Sequence, residues 1–418
     1  MDETRAARRV AVTRIVRLAT GGDGVGQLPD GRTVFVPRTA PGDRVELARV
    51  REHRRYARAR AARIDEPSPL RTDPPCPHYV RDDCGGCQLQ HLLPEAQRDA
   101  RRGFVGDALR RIGGLDCADP DLEPAPSDWE YRTKLTLHSD GTRVGLHPVD
   151  QPAAVFDLET CLITAPALVT LWRALRARRR LLPARFRHIV LRLDRDGGLH
   201  VSVEVAGAAP WPDAGRLSAE LARAGHSATL WLRPEAGDAR VVSGSSQAFP
   251  ATVFEQVHPV MGARARGYAL HLLGEVAGRV VWDLYSGIGE STRALASRGA
   301  AVHSVESDRR AVAYAERASD PGYPAAPKWI AARAEDVVAR LPRADLVVTN
   351  PPRSGMDERV TAALDAGGAV RIAYIACDPA TLARDIRRLR AYRVSQVRAF
   401  DLFPQTAHVE SVVLLERR

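Results

Sequence analysis

Cys377 stands between the apolar run Tyr374-Ile375-Ala376 and the helix-like run Pro379–Asp385. A thiol placed after a strand and before a helix suits a nucleophile at the edge of a parallel sheet. Taken alone, it equally suits a buried structural thiol. Three more thiols, Cys76, Cys84 and Cys87, cluster early in the chain, and Cys161 follows 74 positions after Cys87. Thiolates flanking Gly85-Gly86 can reach one metal centre, because glycine lets the backbone curl around it. Zinc and an iron–sulfur cluster both suit four thiolates, and spacing does not separate them. A third feature is Asp283-Leu284-Tyr285-Ser286-Gly287-Ile288-Gly289-Glu290, a glycine-bearing turn from a strand into a helix. Such a turn lets the backbone approach a nucleotide cofactor closely. Glu306 ends the next strand, 17 positions past Gly289, where a carboxylate can accept both ribose hydroxyls. The third glycine of the dinucleotide spacing is missing, which favours S-adenosylmethionine.

These residues need elements to position them, and the hydrophobic period changes twice along the chain. Residues 10–65 read as a small β-barrel: strands Val10–Leu18, Arg32–Pro37 and Arg44–Arg51 are separated by glycine- and proline-marked turns. Pro67-Ser68-Pro69 and Pro74-Pro75 form a stiff linker, and Leu92–Ile112 reads as an amphipathic helix ended by Gly113-Gly114. Short strands then follow at Tyr131–Ser139, Arg143–Leu146, His188–Asp194, Leu199–Val205 and Thr229–Arg233, interrupted by a helix at Ala165–Leu181. From about residue 260 strands and helices alternate, as in an open doubly wound sheet. Its strands are Val280–Leu284, Val302–Val305, Leu346–Thr349, Arg371–Ala376 and Val412–Leu415, with a helix at Ser291–Arg298.

The 418 residues carry 44% hydrophobic and 27% charged residues, an ordinary globular composition for two or three domains. Six unevenly spaced cysteines do not make a disulfide framework. The first residues lack a secretory apolar stretch and no uncharged run is long enough to cross a bilayer, so a cytoplasmic, non-membrane protein is expected. The net charge of +10 favours a polyanionic partner. Residues 1–65 hold 15 arginines against 8 acidic residues, so most of that surplus lies in the first sixth of the chain. Basic strands carrying an occasional aromatic such as Tyr56 suit backbone neutralisation and base stacking on RNA.

The block from Tyr374 to Asp385, with Gln405-Thr406-Ala407-His408-Val409-Glu410-Ser411 after it, resembles the nucleophile and base motifs of the S-adenosylmethionine-dependent RNA uracil-5-methyltransferases. Gly24-Val25-Gly26, Val34-Phe35-Val36-Pro37 and Pro41-Gly42-Asp43-Arg44-Val45 resemble a TRAM domain, an OB-like RNA-binding barrel. The resemblance runs in order along nearly the whole chain. It implies a multidomain protein: a TRAM barrel over 1–66, a central α+β iron–sulfur and RNA-binding domain over 67–255, and a Rossmann-like α/β methyltransferase domain over 256–418. It implies a 4Fe–4S cluster held by Cys76, Cys84, Cys87 and Cys161, with Cys117 structural. Seven residues separate Cys76 from Cys84 where the family has five. Gln256, Tyr285, Glu290, Glu306 and Asn350 would line the S-adenosylmethionine pocket. Glu290 replaces the family's asparagine-like residue, Arg333 stands near the position that meets adenine, and Asn350 replaces an aspartate.

The implied substrate is structured RNA, ribosomal or transfer, and the implied state is a monomer. Uracil C5 attacks a sulfonium methyl poorly until a thiolate adds at C6, and a base must then remove the C5 proton. By resemblance, Cys377 is that nucleophile and Glu410 that base, with Arg353 and His408 as helpers. The pyrimidine has to leave its stack to be reached. Arg132 and Lys134 on the central strands are candidates for phosphate contact. Two other readings compete. Asn350-Pro351-Pro352 also occurs in amino-methyltransferases, which place an aromatic residue where this chain has Arg353. The pocket departures also fit an RNA-binding iron–sulfur protein without catalysis.

Overall fold

The computed structural model describes residues 11–245 and 253–418, and the start of the expected first strand at Val10 lies outside them. Contacts divide the chain into two compact units. One holds the residues up to Phe104 together with Gln405–His408; the other holds Val105–Pro404 and Val409–Arg418. Among the described residues no helix is long and apolar enough to cross a membrane.

The first unit contains a six-stranded sheet ordered Val12–Arg14, Arg44–Glu52, Tyr56–Glu66, Thr33–Val36, Gly24–Gln27, Arg17–Leu18. The strand expected over 10–18 is two strands, because the chain changes partner within it. Val12–Arg14 pairs with Arg44–Glu46, whereas Arg17–Leu18 pairs with Gly24–Val25. Alternation buries Val34 and Val36 on one strand and Val45 and Leu47 on another, around Ile15, Leu28, Ala57 and Ala59. Three register shifts between Arg44–Glu52 and Tyr56–Glu66 add local twist. The hairpin joining those strands carries exposed Arg49, Arg51, Arg54 and Arg55, and the Tyr56 ring stacks on His53 at 4.4 Å. The helix that follows the linker runs Pro94–Arg111.

The second unit holds two sheets. The seven-stranded one is ordered Phe156–Asp157, Val144–Leu146, Lys134–Ser139, Phe186–Leu193, Leu199–Val205, Ala228–Pro234, Arg240–Ser243. The helix expected over 165–181 is Pro166–Arg176 followed by a short 3-10 turn, Arg179–Leu181. A second helix, Ala214–Arg223, buries Ala214, Leu217 and Leu221.

The other sheet builds the site. Its strands are β1 (Val280–Leu284), β2 (Ala301–Glu306), β3 (Lys328–Ala331), β4 (Leu346–Thr349), β5 (Arg371–Ala376), β6 (Tyr392–Phe400) and β7 (Glu410–Arg417). They run β3-β2-β1-β4-β5-β7-β6, with Asp121–Glu123 added at the edge beside β6. β1 to β5 are parallel, and β7 runs antiparallel to both β5 and β6. Helix Pro259–Leu272 precedes β1, and among the helices that follow are α1 (Glu290–Ser297), α2 (Arg309–Arg317), α3 (Glu358–Gly367) and α4 (Pro379–Arg388). Both faces are covered, so β4 and β5 read as unbroken apolar runs rather than alternating ones. Ile372, Tyr374 and Ala376 face a core with Val360 and Leu364 of α3 and Leu382 and Ile386 of α4. Ala373 and Ile375 face the opposite core with Ala265, Ala269 and Leu295.

The hairpin arginines make a first test. Among the described residues Arg49, Arg51, Arg54 and Arg55 have no acidic partner, so their charge is free to meet phosphate. Replacing all four with alanine is expected to lower the slope of log K for structured RNA against log salt by about 0.7 to 0.9 per charge that touched phosphate. An unchanged slope in a titration series would show that RNA does not use this hairpin.

Candidate active site

The carboxyl ends of β1, β2, β4 and β5 share one edge: Leu284 is level with Val305 and Thr349, and Thr349 with Tyr374. Tyr285, Glu306, Asn350 and Cys377 therefore emerge side by side, where open α/β sheets bind ligands. The reversal of strand order between β1 and β4 places the glycine turn at the topological switch.

Pairing register brings Cys377 and Glu410 to the same edge of the sheet. β5 and β7 run antiparallel with Ile375 opposite Val412 and Ala376 opposite Ser411. Cys377 directly follows Ala376 and Glu410 directly precedes Ser411, so the two residues flank the last registered pair. The electrostatics agree: burial, and then the Glu410 charge, push the Cys377 thiol up to about 11, while Arg353 pulls it down. Glu410 is 1% exposed, and burial pushes its carboxyl up to about 8 against the pull of Arg353 and Gln256. Neither Glu410 oxygen has a hydrogen-bond partner of ordinary geometry among the described residues, so the Gln256 amide is near without closing a bond. Thiol and acid are both largely neutral at pH 7, and a carboxyl near 8 can take up and release a proton close to the operating pH.

Arg353 reaches this pair from an exposed loop sewn onto α4. Thr381 Oγ1 donates to the Arg353 carbonyl at 3.2 Å, and the Arg384 guanidinium to the Ser354 carbonyl at 2.8 Å. Asp385, fully buried, accepts the Met356 amide at 2.7 Å and the Tyr374 hydroxyl at 2.8 Å. Gly355 has φ +75°, and a Cβ there would sit 2.4 Å from Arg384 Nη2. Asp378 caps α4 by accepting the Thr381 amide at 2.8 Å, which ends β5 and starts the helix directly after Cys377. Asp385 was not singled out in the sequence, although an acid among Leu382, Ala383 and Ile386 on the buried face of α4 marks it.

The glycine turn has its own support. Thr292 donates to buried Asp283 at 2.6 Å, and burial pushes that carboxyl up to about 7. Tyr285 holds φ +61°, a left-handed backbone that costs a non-glycine residue of order 1–3 kcal/mol and concentrates at functional sites. Glu306 accepts the Gly287 amide at 3.0 Å and the Asp308 amide at 2.8 Å, one on each oxygen. Oε1 also accepts from Ser307 Oγ at 3.1 Å, so Oε2 is the oxygen that keeps a second lone pair for a ligand hydroxyl. Around Gly287 nothing lies within 4 Å of a built Cβ, so the turn borders open space of the kind a nucleoside needs. Gln256 lies against Gly262, where a Cβ would be 2.8 Å from the Gln256 Cβ. Asn350 donates its amide to Leu284 at 3.2 Å, which fixes it beside the turn.

Glu290 is engaged by other residues of its own unit: Arg266 at 2.9 Å and Arg195 at 3.5 Å. Arg195 and buried Arg192 also hold Glu255, next to Gln256, at 2.7 and 2.6 Å. Arg333 is exposed and pairs with Glu335. Lys134 is half-buried, and desolvation followed by the charges of Arg192 and Arg132 lowers its pKa. His408 is half-buried within the first unit, its amide donating to Thr406 Oγ1 at 3.2 Å.

All six cysteines are free of disulfides. Cys76, Cys84 and Cys87 are buried, and the Gly86 amide points at Cys84 Sγ at 3.4 Å. That donor chemistry suits a soft metal centre. Yet among the described residues no group of three or more His, Cys, Asp or Glu side chains is placed to hold a metal ion. The expected four-thiolate set is not assembled here as a ligand group. Cys117 is partly buried and packs against the core between the sheet and helices α3 and α4.

Residues 331–418 match the family model for tRNA (Uracil-5-)-methyltransferase, and residues 13–70 match the TRAM domain of tRNA (uracil(54)-C(5))-methyltransferase. The chain is 33% identical to 23S rRNA (uracil(1939)-C(5))-methyltransferase RlmD of Thiobacillus denitrificans, over 97% of this chain and 99% of that one. It is 34% identical to the RlmD of Chromohalobacter salexigens, over 96% of this chain and 88% of the relative. In fold it is similar to the Pyrococcus abyssi tRNA (uracil-54, C5)-methyltransferase solved with S-adenosyl-L-homocysteine. The TM-score there is 0.73 at 23% identity, covering 96% of this chain and 99% of that one.

Two titrations test the register-set pair. Alkylation of Cys377 by iodoacetamide, followed by peptide mapping, is expected to rise with pH towards about 11. Glu410→Gln removes a charge that raises the thiol, so its midpoint should move down; an upward or absent shift would separate the two residues. Stability gives a second reading. The Glu410 carboxyl binds its proton more tightly folded, at about 8, than at its ordinary 4.5. Its contribution is therefore fully present below about 4.5 and is lost as pH rises through about 8. Denaturant melts should show wild type losing stability relative to Glu410→Gln by up to about 1.4 kcal/mol per pH unit across that window.

Proposed function

Because this chain belongs to the RNA uracil-5-methyltransferase family and is an S-adenosylmethionine-dependent enzyme of that kind, we propose that it methylates C5 of a uridine in structured RNA through a covalent adduct on Cys377. The observation that carries this reading is the register pairing Ala376 with Ser411, whose neighbours Cys377 and Glu410 stand at the edge of the sheet where open α/β sheets bind ligands. The two RlmD relatives, similar over nearly the full length, are named for 23S rRNA, which makes ribosomal RNA the favoured substrate class and transfer RNA, the substrate named for the Pyrococcus abyssi enzyme, the alternative. The nitrogen-methyltransferase reading has no use for a facing thiol and carboxyl, and exposed Arg353 stands where it needs an aromatic.

S-adenosylmethionine, when bound, supplies an electrophilic methyl group. Gln256, Tyr285, Glu306 and Asn350 are the residues proposed to hold it, with Glu290 fixed at the same turn by Arg266 and Arg195. Asn350 offers hydrogen bonds but no charge to the donor's sulfonium. The Cys377 thiolate bonds to C6, and the C5–C6 π electrons move into an enolate. Arg353 favours both the thiolate and the Glu410 carboxylate, since its charge lowers the pKa of each. Carbon C5 takes the methyl as the donor's sulfur–methyl bond breaks, leaving its electron pair on a neutral thioether, and the Glu410 carboxylate removes the C5 proton. The electrons left behind restore the C5–C6 double bond, expelling the thiolate.

The TRAM segment is proposed as an OB-like RNA-binding barrel that supplies affinity, supported by its unpaired hairpin arginines and the Tyr56–His53 stack. Cys76, Cys84, Cys87 and Cys161 are proposed as ligands of a 4Fe–4S cluster, on their spacing and on the burial, outside any disulfide, of the first three. No step of the methylation runs through it.

Two experiments bear on these proposals. Cys377→Ala should abolish both methylation and any covalent RNA complex. Glu410→Gln should still transfer the methyl but retain the product, so labelled methyl from the donor appears on a slow protein–RNA band in a denaturing gel. Normal turnover by either variant would refute the mechanism. For the cluster, protein purified without oxygen should contain about four irons and four sulfides per chain and absorb broadly in the visible; bound zinc with no iron would refute it.

A further inference from the structure

The opposite edge of the same sheet, wholly within the second unit, carries a concavity that the methylation does not use. One row of the register crosses five strands there. Val281 of β1 pairs with Leu346 of β4, Leu346 with Arg371 of β5, Arg371 with Glu416 of β7, and Glu416 with Arg393 of β6. Residues paired in this way share a face of the sheet. Arg279, two positions before Val281, and Leu273, just past helix Pro259–Leu272, join the row to line a cavity of about 490 Å³.

The charges around this cavity do not balance. Glu416 is shared, with Arg371 at 3.2 Å on one oxygen and Arg393 at 3.2 Å on the other. Glu275, the second acid in the wall, turns Oε1 onto the Val276 and Ala277 amides at 2.9 and 3.0 Å. Asp345, beside the row, accepts the Val280 amide at 2.9 Å. Arg279 is exposed and among the described residues has no acidic partner. Arg417 enters from the edge, its guanidinium over the Tyr392 ring at 5.6 Å. Four guanidiniums against two carboxylates leave a surplus of two positive charges in the wall. Gly274, at φ +76°, gives one of them its room, since a Cβ there would sit 3.0 Å from Arg371 Nη1. The rest of the wall is apolar, and Val370 in it is 54% exposed.

Guanidinium forks match phosphate oxygens in pairs, and cavities of this size with apolar walls and a few charged groups suit small ligands. Five strands spaced about 4.8 Å apart span roughly 19 Å, so one phosphate cannot engage the arginines at both ends of the row. Linked phosphates with a compact apolar part can. We infer that this cavity binds a free nucleoside polyphosphate, with its phosphates on Arg279, Arg371 and Arg393 and its nucleoside against Leu273 and Val370. Roughly 20 Å of extended chain separates Arg371 from Cys377, which favours a free ligand over the RNA that has to reach that thiol.

Isothermal titration calorimetry on the full-length protein tests this, with saturating S-adenosylhomocysteine present to close the donor pocket to nucleotides. Guanosine diphosphate is expected to bind one-to-one, pyrophosphate more weakly, and guanosine without measurable heat. Arg279→Ser and Arg393→Ser should each weaken guanosine diphosphate about ten- to a hundredfold, the loss of one charge-assisted contact. Val370→Asp sets a negative charge in the wall without removing an arginine and should weaken binding in the same direction. It covers the case in which an arginine variant fails to fold. No saturation up to about 1 mM, or unchanged affinity in the folded variants, overturns the inference. Displacement of the nucleotide by structured RNA, with a matching loss of RNA affinity in Arg279→Ser, overturns it too and assigns the cavity to the RNA path. None of these readouts passes through methyl transfer, so failure here and failure of the catalytic reading are separate results.

Discussion

The antiparallel pairing of β5 with β7 is the constraint on which the site depends. In a sheet otherwise parallel at its centre, this one reversed strand brings the start of β7 to the edge where β5 ends. Side chains alternate along a strand, so slipping the register by one residue would turn Glu410 away from Cys377 and expose Val412 and Leu414 to the wrong core. The apolar packing of Ile372, Tyr374 and Ala376 on one side and Ala373 and Ile375 on the other therefore fixes the chemistry as well as the fold. Asp385 extends that control to the loop bearing Arg353, since a single buried carboxylate ties Met356 of the loop to Tyr374 of β5.

Burial then sets the resting state of the two groups. A thiol pushed up to about 11 and a carboxyl pushed up to about 8 are held mostly neutral, which protects the proposed nucleophile from adventitious oxidation and alkylation. The cost is a buried acid with no bonded partner, a liability that folded proteins tolerate mainly where function requires it. Arg353 is the group that moves both residues towards their reactive ionised forms, and it does so from an exposed loop rather than from the core.

Much of this was legible in the chain because chemistry and pattern coincided. Cys377 follows an apolar run and precedes Asp378-Pro379, a cap and a first helical residue, so strand end, nucleophile and helix start could be read together. The β4 and β5 segments read as strands from their apolar residues, and the structure buries them on both faces. Strand β6 was missed because a register shift between Val394 and Gln396 breaks its alternation. The helix Ala214–Arg223 was missed although Ala214, Leu217 and Leu221 carry a helical period. Glu290 and Arg333 could be placed near the donor by position, but their ion pairs with Arg266, Arg195 and Glu335 join residues far apart or too similar to many other charges to single out. The four thiols are the reverse case: their spacing suggests a ligand set, and geometry among the described residues has not assembled one. Long-range bonds such as Gln97–Gln405, 308 positions apart, leave no local signal at all.

The most direct test of the central claim uses RNA carrying 5-fluorouridine at the target position. A carboxylate can remove a proton from C5 but not a fluorine, so the reaction should stop after methyl transfer with the base still bonded to sulfur. Denaturing mass spectrometry of the wild-type protein incubated with this RNA and S-adenosylmethionine should show a stoichiometric adduct, and peptide mapping should place a methylated fluorouridine on Cys377. An adduct on any other residue, or methylation with no adduct, would contradict the account.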